Sequence, residues 1–212
     1  KIMQSSKKFK LMILPGNGCS NIKMGNWYWW LCCQLRKKFP ENGKIICKTM
    51  PDPYEAKEEF WMPFIKKHFE EDKESYDFTY VVGHSSGAVC SMRLLETFKL
   101  TGAVIVSGCV THLGYEEELI SGYYPAQPNS KELRPWLWDK MKENSKWIIE
   151  FCSQDDQFIP IEELREIRDN LNLSKENYFV FDKNEERGHF MEEEFIELRD
   201  VLVERINKDL EG

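Results

Sequence analysis

The chain has little with which to hold a polyanion or a bilayer. Its 29 lysines and arginines are outnumbered by 36 acids, leaving a formal net charge of −7 over 212 residues. No stretch concentrates the basic residues, so binding to nucleic acid has no counterion release to draw on, and an anionic membrane is disfavoured for the same reason. Long hydrophobic runs are missing too. Residues 11–14 and 104–106 are far shorter than the ~18 residues of a membrane span. Residues 1–14 carry no apolar core with a small-residue cleavage site, so no secretory signal is expected, although a chain starting at Lys1 leaves room for an upstream segment.

Metal and phosphate spacings are equally absent. The four histidines, His68, His84, His112 and His189, form neither an H-x-x-x-H pair nor HExxH, and no metal is expected. There is no Walker A string. Gly16-Asn17-Gly18 fails as a dinucleotide fingerprint because Asn21 stands where the third glycine belongs, so no cofactor is expected. Seven cysteines (Cys19, Cys32, Cys33, Cys47, Cys90, Cys109 and Cys152) are scattered through apolar segments without C-x-x-C spacing. An odd, scattered set predicts free thiols in a reducing, cytoplasmic compartment.

What is present is enough apolar residue, 42% of the chain, to build a core that hides about 70% of the unfolded surface. Short β-branched runs alternate with stretches of helical period, a pattern that predicts an α/β fold: a three-layer αβα sandwich around a mostly parallel sheet of about six strands. Strands are expected at residues 10–14, 44–48, 78–82, 103–107, 147–152 and 178–182. Helices are expected at 27–39, 54–70, 86–98, 161–171 and 191–210. In the last, Phe195, Leu198, Leu202 and Ile206 recur at spacings of three and four. No low-complexity linker divides the chain, so one domain over 1–212 is expected. Its least regular part is a lid-like excursion at 111–144, broken by Gly114, Gly122, Pro125, Pro128 and Pro135.

The sharpest motif is Gly83-His84-Ser85-Ser86-Gly87, which follows one predicted strand and opens a predicted helix. It fits the G-x-S-x-G elbow, of which chance supplies about 0.04 in a chain of this composition. Glycines let the chain cross closely at a strained turn, and the serine hydroxyl then projects above the sheet. The helix behind it offers amide hydrogens to an oxyanion, with the Ser86 N–H first. The plainer reading makes Ser85 a helix cap after a glycine turn. A catalytic serine needs an imidazole and a carboxylate. Asp155-Asp156 follows the fifth predicted strand and Gly188-His189-Phe190 the sixth, giving the chain order Ser, Asp, His. The plainer reading of the two acids is that they cap the helix from Ile161. Gly16-Asn17-Gly18 after the first strand stands where a second oxyanion donor, the Asn17 N–H, arises in such folds.

These motifs together resemble the α/β-hydrolases, and within them the small serine hydrolase family around retinoblastoma-binding protein 9. The resemblance runs nearly end to end. It also takes in Gly25-Asn26-Trp27-Tyr28, Met50-Pro51-Asp52-Pro53, Pro135-Trp136-Leu137-Trp138 and Pro160. It implies Ser85 as nucleophile, His189 as base and Asp156 as orienting acid, since the family's carboxylate stands four residues before a proline as Asp156 stands before Pro160. Asp155 would then cap or orient the loop. The implied activity is hydrolysis of esters or amides of small molecules.

Trp136 and Trp138 lie in the excursion and serve equally as an acyl pocket or as core. Glu185, Glu186, Glu192, Glu193 and Glu194 read as a solvated face around His189. The rival class is a protein-interaction module. Retinoblastoma protein as a partner is disfavoured because L-x-C-x-E is absent: Leu31-Cys32-Cys33-Gln34-Leu35 lacks the acid, and His68-Phe69-Glu70-Glu71-Asp72 has no cysteine. A monomer is the default expectation.

Overall fold

The computed structural model describes residues 7–126 and 131–212. Six strands, β1 (Phe9–Leu14), β2 (Gly43–Cys47), β3 (Phe78–His84), β4 (Gly102–Val106), β5 (Trp147–Ser153) and β6 (Tyr178–Phe181), pair in the order β2-β1-β3-β4-β5-β6. Every pairing is parallel. All six lie on the runs expected from the sequence, with ends moved by no more than two residues.

Helices cover both faces. Leu11 and Ile13 of β1 pack into one apolar layer with α1 (Tyr28–Lys38) and α7 (Ile196–Glu211). Met12 and Leu14, pointing the other way, join α2 (Glu58–Glu70), α3 (Ser86–Leu95) and α6 (Ile161–Leu171). Burial on both sides is why these strands read as continuous apolar runs with no alternation. In α6 the core contacts are Leu164, Ile167 and Leu171, one stripe at spacings of three and four. Leu31, Cys32 and Leu35 of α1 are buried in the same way, so the string nearest to L-x-C-x-E has both its leucines in the core, with only Cys33 exposed and Gln34 half-buried.

Two predicted helices start late. Residues 54–57 are a turn with Ala56 at φ 52°, and residues 191–195 form a loop after Phe190 at φ 51°. Both segments have helical spacing but a backbone that turns away.

Lys10 is fully buried in β1, and its Nζ donates to the carbonyls of His68 (3.0 Å), Phe69 (3.2 Å) and Glu71. Those are end carbonyls of α2, which have no partner inside the helix, and a cation there is favoured by the helix dipole.

The excursion carries two short helices, α4 (Glu116–Ile120) and α5 (Trp138–Glu143). Neither completes two turns, so no period marks them in the sequence. Pro128, one of the breakers named above, lies outside the described residues. Arg93 of α3 is buried and fastens the excursion, donating to the carbonyls of Tyr123 (2.6 Å), Arg134 (3.0 Å) and Pro135 (3.1 Å) and to Glu96 (2.6 Å). Successive connections leave β1 towards β2 on one side and return to β3 on the other. A sheet of this kind opens a crevice at the C-terminal ends of the strands beside that reversal, here β1 and β3.

Candidate active site

Ser85 sits between β3 and α3 with φ 53° and ψ −120°, a conformation that costs an L-residue strain and is held only by its surroundings. Three glycines make the turn possible. A Cβ on Gly83 would strike the Gly87 carbonyl, one on Gly87 would lie 2.5 Å from the Leu14 carbonyl oxygen, and one on Gly16 would approach the Ser85 Cβ to 3.2 Å. The Ser85 N–H donates to the Val106 carbonyl at 2.9 Å, tying the turn to β4. Ser86 opens α3, whose first amides have no acceptor within the helix. Across the crevice the loop after β1 is pinned by Gly18 N–H donating to the Pro53 carbonyl at 2.7 Å, which leaves Asn17 exposed at its tip.

The two acids after β5 take different tasks. Asp156 Oδ2 lies 2.7 Å from His189 Nδ1 and accepts from Ser107 Oγ at 2.8 Å, while Oδ1 accepts the amides of Phe158 (2.9 Å) and Ile159 (3.0 Å). The Asp156 side chain is fully buried. Burial alone would raise its pKa, but the hydrogen bond and charge of His189, with the two amides, outweigh it and hold the carboxyl below its ordinary value. Asp155 instead accepts from Ser153 Oγ and from the Gly188 amide at 3.0 Å, holding the loop that carries His189. That loop is further fixed by Trp27 Nε1, which donates to the Phe190 carbonyl at 3.0 Å. Glu192 is not part of a solvated face: it pairs with Arg187 at 2.6 Å under the loop.

Ser85, Ser86, His189 and Asn17 all line one cavity of about 350 Å³. Its outer wall is apolar, from Leu113, Tyr115, Phe158 and Met191, and Phe158 stands edge-on to His189 with ring centres 5.1 Å apart. The polar feature of the far wall is Glu118, which accepts from Tyr124 Oη at 2.9 Å and Asn17 Nδ2 at 3.4 Å. Cys109 also faces the cavity, but burial pushes its thiol well up, so it stays protonated and offers no competing nucleophile. Among the described residues no group of three or more His, Cys, Asp or Glu side chains gathers to hold a metal.

A curated relative, the serine hydrolase RBBP9 of Rattus norvegicus, is 37% identical over 195 residues, covering 91% of this chain and 93% of its own. The chain belongs to the RBBP9 family of serine hydrolases. No family model matches it. The fold recurs in the ydeN gene product of B. subtilis (TM-score 0.73, 20% identity, 95% and 100% of the two chains). It recurs also in Est1E of Butyrivibrio proteoclasticus, solved with ferulic acid bound (TM-score 0.67, 12% identity, 99% and 92%). The architecture is therefore the α/β-hydrolase fold. Among the described residues no helix is long and apolar enough to cross a membrane.

In this RBBP9-family hydrolase Trp136 and Trp138 do not line the cavity; Trp136 belongs to the core and half-buried Trp138 packs against it. Trp136 Nε1 donates to the Val110 carbonyl at 2.9 Å, and the Arg93 guanidinium lies 3.8 Å from its ring centre. A buried cation needs a polarisable cover, and the indole supplies it. Trp138 packs beside Trp136, ring centres 5.8 Å apart. The cavity residues Leu113, Tyr115, Glu118, Tyr124 and Met191 carry no motif of their own, and His84 and Tyr28, which also line it, stand inside motifs whose signal belongs to other positions.

Proposed function

We propose that the chain hydrolyses ester or amide bonds of small substrates through an acyl-enzyme on Ser85. The observation that carries this reading is the 2.7 Å contact of His189 Nδ1 with the buried Asp156 carboxylate, behind a cavity that both His189 and Ser85, on its strained turn, line. His189 Nε2 takes the hydroxyl proton as Ser85 Oγ bonds to the carbonyl carbon, and the carbonyl π pair moves onto oxygen. The Ser86 and Asn17 amide hydrogens stabilise that oxyanion. Collapse expels the alcohol or amine, which leaves with the proton from His189. Water then gives a proton to His189, attacks the acyl carbon and releases the acid, restoring Ser85. Asp156 keeps the other imidazole proton on Nδ1 and stabilises the cation that forms.

The apolar collar of Leu113, Tyr115, Phe158 and Met191 suits an uncharged acyl or leaving group. A fluorophosphonate probe tests the assignment. Wild type is expected to label at Ser85 and Ser85→Ala to be silent; equal labelling of the two would overturn it.

A further inference from the structure

Tyr28 and His84 move no proton in that scheme, yet both are buried and line the same cavity as the groups that do. Tyr28 Oη accepts from the Gly16 amide at 3.0 Å and from Asn26 Nδ2 at 3.2 Å. Two donors fill the lone pairs of a phenol, so its own proton points to His84 Nδ1, 2.5 Å away. His84 Nδ1 is thereby an acceptor and its ring proton resides on Nε2, which donates to the His189 carbonyl at 2.8 Å. Every bond in the chain Gly16, Tyr28, His84, His189 has one possible direction, because each end is a backbone group of fixed character.

We propose that Tyr28 and His84 are positioning residues, a buried relay that sets the oxyanion loop, the nucleophile elbow and the base at fixed distances from one another. The proposal rests on the hydrolase reading above. Gly16 precedes Asn17, His84 precedes Ser85, and the relay ends on His189 itself, so one hydrogen-bonded chain touches the neighbour of each part. The groups facing His84 are Tyr28, His189, Asp156 and the Trp27 ring. Its ring lies 4.9 Å from that of His189, close enough for a second cation to oppose the imidazolium formed during turnover. Full burial first, and the nearness of His189 second, hold His84 neutral. Packing alone would ask only for an aromatic of the right size at position 28; the relay asks for the hydroxyl.

The test compares wild type with Tyr28→Phe, following fluorophosphonate labelling rate and turnover of a neutral aryl ester. Loss of the hydroxyl is expected to lower kcat about tenfold, the lower end of what loss of a hydrogen-bonded partner behind a metal-bound histidine costs, with KM within about twofold. Nitrogen-15 spectra of histidine-labelled wild type are expected to show His84 protonated on Nε2 alone from about pH 7 down to about pH 5, where a free imidazole would be charged. A Tyr28→Phe enzyme that labels and turns over like wild type overturns the relay, as does a His84 that bears its proton on Nδ1 or on both nitrogens. Wild type that fails to label at all overturns the hydrolase reading instead, while the spectra still report on His84.

Discussion

Acidification should cost this protein stability through His84, and the size of the cost follows from its burial. The imidazole is fully enclosed, and its pKa is pushed down to about 3 from an ordinary 6.5. A folded-state pKa below the unfolded one means that the unfolded chain binds a proton the folded chain refuses. The contribution of His84 is therefore intact above about pH 6.5 and is lost progressively as pH falls. With these two values the loss is about 0.7 kcal/mol between pH 7 and 6 and about 2 kcal/mol between pH 7 and 5. Asp156, with a lowered pKa, adds a loss of the same sign at lower pH, while the buried carboxyl of Glu150, whose pKa burial raises well above normal, acts in the opposite sense. Comparison with His84→Gln isolates the one group, because glutamine keeps an amide donor but takes up no proton. Urea unfolding of both proteins at pH 7, 6 and 5 should find the variant less stable at pH 7 and the gap narrowing by about 2 kcal/mol at pH 5. Parallel losses in the two proteins across that window would refute the enclosed, neutral imidazole.

Two further outcomes follow from the site and its surroundings. Asp156→Asn should lower kcat by roughly 10³ to 10⁴ with the fold intact, because its oxygen stays on the Phe158 and Ile159 N–H groups and its NH2, a donor, faces His189 Nδ1, and Asp155→Asn should cost far less. Equal losses in steady-state kinetics would return the choice between the two acids to an open question. Trp136→Ala should destabilise by about 3 to 5 kcal/mol, as loss of a buried indole does, with KM of the folded enzyme little changed. A raised KM without lost stability, measured by thermal unfolding beside kinetics, would put the indole back in the pocket.

Much of the architecture is legible in the written chain, since strand and helix periods are local. The six apolar runs, the glycine-flanked Ser85, the Asp155-Asp156 pair and Gly188-His189 need only neighbours within a few residues to stand out, whereas the preference for Asp156 comes from the resemblance. The late starts of α2 and α7 show where this fails. Residues 54–57 and 191–195 carry helical spacing, but left-handed backbone at Ala56 and Phe190 decides their course. The short helices α4 and α5 fail for the opposite reason, being too brief to show any period.

From its residue order alone this chain determined a parallel sheet under helices and a serine on a turn that only glycines permit, because sterics and burial act within each segment. Tertiary structure decided what lies between segments. It set Asp156 rather than Asp155 on the imidazole, turned Trp136 into a cover for Arg93, and joined Tyr28 to His84 across 56 residues and His84 to His189 across 105. No period or spacing encodes those meetings, since a hydrogen bond needs its partners within about 3 Å in space and is indifferent to their separation along the chain.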